Sequence, residues 1–584
     1  MSKPAARAAQ HGPESGAGQP AEPGPAASPA AAAAAAGIAP EAGAPPAAAG
    51  GPPAGSGIGR AAALIAALTV AARLLGLVRQ VVFAHTVGSA CLGTAYVTAN
   101  QVPNIIYDIV LGGALTAVMV PVLARPAQQS AGDRAAAGEV AATSSALLTW
   151  TIIILVPVSV VIALAAGPIA SVLNPANPAV SCDHASLVAV AGRMLAVFAP
   201  QVPLYGLAVV LYGILQAHRR FTAPAIAPVL SSLVVIAAYL LFVPFGRDYR
   251  QQLTGLPLPA ELILSVGTTV GVAALALTAL VPVLRLRLRL RPAVHFPVGV
   301  ARRAVGLAGY GVAALVAQDV ALLVVIRLAN GSAADGAIVL YNYGWQVFVS
   351  VYAVLAIPIA VAFPVLSARD GAEFDATAAG STRAVLMLSC LGAALMAAVA
   401  EPAARVFASG GQVPELALGF ATFAPGVIGY GVIACLSRVL LAAGRTTTAA
   451  VLVSGGWLVT IVADVVAVTV APSRWTVGAL GLGNTLGMTV AGVAMVIAVR
   501  RIRGPAALHG TARATVAGVL AAVAGAAAGA AAARLLPSPA VAVAVGAGVL
   551  AAVCAAAVSG VIAYLLDGGE LKAALARIRR TAPR

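Results

Sequence analysis

Two arginines stand inside an apolar stretch near the start of the chain, Arg73 and Arg79 of ARLLGLVRQ. A guanidinium in hydrocarbon is costly unless it faces protein or trapped water, so each implies a protein-lined polar surface. The next apolar run, AYVTANQVPNIIYDIVLGGALTAVMVPVLAR, is interrupted by Gln101, Pro103, Asn104, Tyr107 and Asp108, and then by Gly112-Gly113. Anchoring does not need arginine, amide and carboxylate side chains in two successive apolar segments. The pair is expected to line a cavity.

A second polar set lies in the later half. Gln318-Asp319 fall midway along one apolar run and Asp464 midway along another, with Thr460 one turn before Asp464 on the same helical face. An aspartate is too short to reach the membrane surface from that depth, so each requires a partner, a cation or a proton. Asp319, Asp464 and Thr460 are therefore the candidate ion-coupling residues, for a sodium ion or a proton, between the seventh and eleventh spans. The competing reading is a structural Asp–Arg bridge. Arg193 and Arg438 fit a buried pair or a snorkelling side chain as well as they fit a function.

The elements that must position these groups are membrane helices. The chain is 60% hydrophobic and 9% charged, with a mean hydropathy of +0.96, which excludes an ordinary soluble protein. Apolar runs at approximately 58–84, 92–124, 138–166, 186–217, 223–244, 260–285, 299–328, 336–366, 382–408, 416–443, 447–471, 476–499, 512–533 and 539–566 are each long enough to cross a bilayer. The fold class is thus all-α and polytopic, with about fourteen spans.

Arginine placement supports that count. With the N-terminus inside, the inner loops hold Arg125, Arg134, Arg219, Arg220, the RLRLRLR run from Arg285 to Arg291, Arg302, Arg303, Arg369, Arg383, Arg445, Arg500 to Arg513 and the tail from Lys572. The outer loops hold only Arg247, Arg250, Arg327, Arg405, Arg474 and Arg534. A missed span would swap every later loop, so both termini are predicted to be cytoplasmic. The net charge of +16 is accounted for in this way and does not call for nucleic acid. RLRLRLR, abutting a span and followed by Pro292, reads as an interfacial segment that binds anionic headgroups rather than as a strand.

Residues 1–57 are rich in Ala, Pro and Gly and are expected to form a disordered cytoplasmic tail. Five scattered cysteines, Cys91, Cys182, Cys390, Cys435 and Cys554, lack CxxC spacing and read as small apolar fillers rather than as a disulfide or metal framework. Two pairs of segments recur in the same order: VPVLA (120–124) with FPVLS (363–367), and LQAHRRFTAPA (215–225) with LAAGRTTTAAV (441–451). They suggest two six-helix lobes, 58–292 and 293–504, followed by two additional helices over 505–566 and a basic tail over 567–584. No P-loop, HExxH or GxSxG is present, which argues for a transporter rather than an enzyme.

The blocks Arg73-Leu-Leu-Gly-Leu-Val-Arg79, Val102-Pro-Asn104, Gly113-Ala-Leu-Thr-Ala with Val120-Pro-Val-Leu, and Arg220-Phe-Thr-Ala-Pro-Ala-Ile-Ala-Pro228 resemble the MurJ/MviN lipid II flippases of the multidrug/oligosaccharidyl-lipid/polysaccharide exporter superfamily. The resemblance covers roughly residues 58–566. It implies two lobes in a V around a cationic cavity, a groove by the last two helices for a polyprenyl tail, and alternating access in the cell membrane. The substrate it implies is a lipid-linked glycan, with membrane lipids and cell-wall synthesis proteins as partners. Arg73, Arg79 and Asn104 stand at the family's substrate-binding positions, and arginines can hold a pyrophosphate bidentately. The chain departs from the family at four places. Tyr107 replaces an arginine, Gly344-Trp345 replaces an Asp-Arg pair, and Thr94 and Gly112 stand near positions that carry acids. Tyr107 and Trp345 are therefore expected to stack on sugars. Another lipid-linked glycan, a non-transporting scaffold for wall synthesis, and a cation-coupled exporter of small molecules are the alternatives.

Overall fold

The computed structural model describes residues 56–110, 134–286, 288, 290–295, 300–367, 369–408, 410–537 and 540–581. Of the expected tail over 1–57, residues 1–55 lie outside these residues, as do Gly112 and the 120–124 repeat segment, whereas Ser56 and Gly57 open the first helix.

Among the described residues the chain is helical throughout, with no strand. The first helices are α1 (Ser56–Thr86), α2 (Cys91–Ile109), α3 (Arg134–Leu164), α4 (Ala166–Leu173), α5 (His184–Phe198), α6 (Gln201–Ala217), α7 (Thr222–Gly246) and α8 (Leu258–Leu284). The next are α9 (Val300–Gly331), α10 (Ala337–Ser367), α11 (Gly371–Ala398), α12 (Ala400–Phe407), α13 (Gln412–Phe423), α14 (Gly426–Ala442), α15 (Thr446–Val470) and α16 (Thr476–Arg503). The chain closes with α17 (Thr511–Ala533) and α18 (Val541–Thr581).

Twelve stretches of these helices are long and apolar enough to span a bilayer. Of the two remaining expected spans, 92–124 is described only to residue 110, where α2 covers its start, and 336–366 coincides with α10. Boundaries shift in places: the span expected at 382–408 is α11, which begins at Gly371, with the short α12 following it. The last helix runs on to Thr581, well past the expected end of its span.

Helices α1–α8 pack among themselves, as do α9–α16, while α17 and α18 pack on α11. The two sets meet where α1, α2 and α4 face α9, α10 and α12. Leucine, isoleucine and valine cover the outer faces, as expected of surfaces in contact with lipid.

Two local motifs occur once in each set. The kink between α5 and α6 at Pro200 frees the Val197 carbonyl, which accepts from the Thr269 hydroxyl at 3.1 Å; the kink between α13 and α14 at Pro425 frees the Thr422 carbonyl, which accepts from the Thr485 hydroxyl at 2.6 Å. The turn after α6 closes with Arg220 N–H on the Leu215 carbonyl and the turn after α14 with Arg445 N–H on the Leu440 carbonyl, both at 2.8 Å. The left-handed position of these turns is filled by Arg219 (φ 57°) in the first and by Gly444 (φ 72°) in the second.

Candidate functional site

The connections 87–90, 174–183, 247–257, 332–336 and 408–411 gather at one end of the molecule, here called distal; the arginine-rich loops mark the other. The distal seam holds hydrogen bonds between the two helix sets. Asn330 Nδ2 donates to Thr98 Oγ1 (2.9 Å), the Leu173 carbonyl (3.0 Å) and Asn174 Oδ1 (3.1 Å). Asn177 Nδ2 donates to the Gly331 carbonyl (2.9 Å), and Asp335 accepts from both the N–H (3.1 Å) and the hydroxyl (2.6 Å) of Ser181. The Ser89 hydroxyl donates to Gln412 Oε1, whose amide nitrogen donates to the Asp335 carbonyl (3.0 Å). Gly336 (φ 74°) lies so close to the Ser89 carbonyl that a Cβ there would stand 1.8 Å from its oxygen. Asp183 caps α5 through the Ser186 N–H at 2.9 Å; hydrogen bonding from Ser186 holds this exposed carboxylate below its usual range.

One cysteine expectation is overturned at this end. Cys91 and Cys182 form a disulfide, joining the start of α2 to the 174–183 segment that carries half of the seam. Their wide sequence separation hid the pairing, which only the packing of α2 on α5 brings about. Cys390 and Cys435 are buried free thiols, consistent with apolar filling.

Below the seam the first set presents the polar groups expected of α1 and α2. Arg79 is half-buried, within electrostatic reach of Tyr96, Tyr205 and Tyr239. The Tyr96 hydroxyl is hydrogen-bonded to those of Tyr239 (2.9 Å) and Thr268 (2.7 Å). Tyr205 donates to Asn104 Oδ1 at 3.1 Å, and its ring lies 4.3 Å from that of Tyr107. The structure thus brings Asn104 and Tyr107 together through Tyr205, a residue the sequence reading did not single out. Arg73 lies two turns earlier on α1, half-buried and held by an interaction of its own. Arg193 forms a forked ion pair with the buried Glu261 (2.7–3.1 Å), the structural reading offered for it.

In the second set Trp345 stacks on Phe348 (5.4 Å between ring centroids) and meets Trp457 edge-on (6.2 Å). Arg438 donates to the Ala434 carbonyl at 2.8 Å beside Tyr352. Asp464 and Thr460 point from α15 into α16, where glycines make room for them. A Cβ on Gly483 would stand 1.9 Å from Asp464 Oδ1, and one on Gly487 1.9 Å from Thr460 Oγ1. The small-xxx-small spacing of Gly483 and Gly487 was the available sequence signal for this contact. Asp319 lies on α9, which packs on α15, but the carboxylate within its electrostatic reach is Asp108 of α2. Among the described residues, Asp319, Asp464 and the neighbouring Asn484 are buried with side-chain oxygens that lack a hydrogen-bond partner, and neither aspartate is in an ion pair. No group of three His, Cys, Asp or Glu residues able to hold a metal occurs among them.

Two sets of membrane-spanning helices joined at one end by a seam of hydrogen bonds define a multi-pass membrane protein. The solved structures agree: the chain superposes on a lipid II flippase MurJ in an inward closed conformation (TM-score 0.64, 14% identity, covering 86% of this chain and 98% of that one). It also superposes on an inward-facing multidrug resistance MATE family transporter of the MOP superfamily (TM-score 0.57, 14% identity, 74% and 94%). The sequence profile of the family described as lipid II flippase MurJ matches residues 83–558, and the chain belongs to that family. Curated relatives include the lipid II flippase MurJ of Burkholderia cenocepacia, 28% identical over 185 residues (32% of this chain, 34% of that protein), and the probable lipid II flippase MurJ of Synechocystis sp., 28% identical over 229 residues (38% and 40%). The matched stretches span about a third to two fifths of those relatives.

Proposed function

We propose that the protein is a flippase that carries a polyprenyl-pyrophosphate-linked peptidoglycan precursor, lipid II, across the bacterial cytoplasmic membrane by alternating access. It is a transporter without catalytic chemistry. The observation that carries this reading, beside family membership, is the asymmetry of the seam. Among the described residues, the hydrogen bonds between the two sets gather at the distal end, above Arg79, Asn104 and Tyr107. A binding surface sealed on one side is half of an alternating-access cycle. The disulfide supports an extracytoplasmic distal end, since such bonds persist in oxidising compartments, and the arginine bias gives the same polarity, with both termini cytoplasmic.

Arg73 and Arg79 hold the pyrophosphate in this reading, while Asn104, Tyr107 and Trp345 bind the sugars. The partnerless oxygens of Asp464 and the Thr460 hydroxyl beside it suit a sodium ion or a proton, which would couple transport to a gradient; Asp319 is the further candidate. The replacement of a family arginine by Tyr107, already packed at a tilt against Tyr205, favours a different lipid-linked glycan as the second reading. The test is rescue of a bacterium depleted of its own lipid II flippase, following outward exposure of lipid II. Rescue by the wild type and not by Arg73→Ala/Arg79→Ala is expected. Failure of a folded, membrane-inserted wild type to rescue would reject lipid II as the substrate.

A further inference from the structure

The described part of the link from α8 to α9 is held against the helices. Leu286, Leu288 and Leu290 pack against the buried cluster formed by α3, α6, α7 and α8, whereas Arg285 and Arg291 at either end of the alternation are exposed. Past Arg291 the backbone is fastened to α3 by side chains. The Ser145 hydroxyl accepts from the Arg291 N–H at 3.0 Å and the Thr149 hydroxyl from the Ala293 N–H at 3.1 Å, while the Trp150 indole N–H donates to the Val294 carbonyl at 3.0 Å. Irregular backbone persists at membrane depth only where its polar groups are satisfied, and these hydroxyls do that.

The face on which the strap lies is a lipid face. Trp150, Ile152, Ile153, Val156 and Val160 of α3 are exposed there. The apolar part of α3 begins at Val140, so Ser145 and Trp150 lie about 8 and 15 Å along the helix from its arginine-rich end. From that depth an arginine extends its stem along the apolar surface and returns its guanidinium to the headgroups. Among the described residues neither Arg285 nor Arg291 is in an ion pair.

We propose that this strap, with Leu286, Leu288 and Leu290 seated against the helix cluster and Arg285 and Arg291 exposed, is a binding site for the phosphate headgroups of anionic phospholipids. Being the covalent connection between the two helix sets, it ties that connection to the arginine-rich leaflet. A basic side chain near an anionic surface contributes about fivefold in binding.

The test uses the full chain in phosphatidylcholine nanodiscs, with Trp150 as the sole tryptophan (W345F, W457F, W475F). Acyl-brominated phosphatidylglycerol is expected to quench Trp150 at about 25-fold lower mole fraction than brominated phosphatidylcholine, about fivefold for each of the two arginines. R285Q/R291Q should bring the two lipids to parity. Equal quenching in the parent, or a phosphatidylglycerol preference that survives R285Q/R291Q, overturns the proposal. Displacement of phosphatidylglycerol by equimolar polyprenyl pyrophosphate would also overturn it, assigning the strap to the lipid-linked substrate. Should the triple variant fail to fold, native mass spectrometry of the unmodified chain from mixed nanodiscs reads the same preference: phosphatidylglycerol retained by the parent and lost in R285Q/R291Q supports the site, and equal retention of both lipids rejects it.

Discussion

The fully buried carboxylates of the two helix sets differ. In the first set Glu261 pairs with Arg193. In the second set Asp319, Asp464 and Asn484 are buried without hydrogen-bond partners among the described residues, although α16 carries glycines shaped to admit Asp464 and Thr460. Satisfied polar groups fix geometry, as a surface that must recognise a headgroup requires. Orphaned buried carboxylates are expensive and survive where they exchange something, in the function proposed above a proton or a small cation.

Asp464→Asn should break that contrast most severely. Loss of rescue by a hundredfold or more in plating efficiency is expected with thermal stability held or raised, because an uncompensated buried charge is removed. Full rescue by Asp464→Asn would reduce the group to a packing element. Glu261→Gln should show the reverse signature, a loss of about 2 kcal/mol of stability in detergent unfolding with the substrate-binding groups untouched. That value is discounted from a fully buried pair because half of the Arg193 side chain is exposed. Gly336→Ala combines a left-handed backbone with a clash on the Ser89 carbonyl, costing the sealed state about 1–3 kcal/mol. A cysteine placed at Ser332 should then react faster with a membrane-impermeant maleimide, and an unchanged rate would remove the seam from the gate. The smallest effects come from the matched turns. Arg219→Gly should stabilise by about 0.5–1 kcal/mol, and Gly444→Ala should destabilise by a similar amount. Opposite signs would sharpen the equivalence of the two turns, and equal signs would weaken it.

Much of this organisation was written in hydropathy, because a bilayer demands long apolar runs whatever their partners. Arg79, Asn104 and Tyr107 could be chosen because polar groups in such runs stand out. The convergence of Asn104 and Tyr107 on Tyr205 could not, since a tyrosine in a helix is unremarkable until its neighbours are known. Nor could the seam: Asn177, Ser181, Asn330 and Asp335 sit in or beside connections, where polar residues are the rule. The placement of Asp319 opposite Asp108 rather than beside Asp464 depends on helix rotation, which periodicity in a nearly uniform apolar helix does not specify.

The bond between Cys91 and Cys182 also bears on how the protein is made. It can close only after the start of α2 and the connection before α5 have both been delivered to the same oxidising side, which requires the first three spans to be inserted in the right order and sense. A chain threaded upside down would present both thiols to a reducing cytoplasm and stay open. In the orientation proposed above, the linkage is a covalent mark that the first three spans were threaded in the right sense.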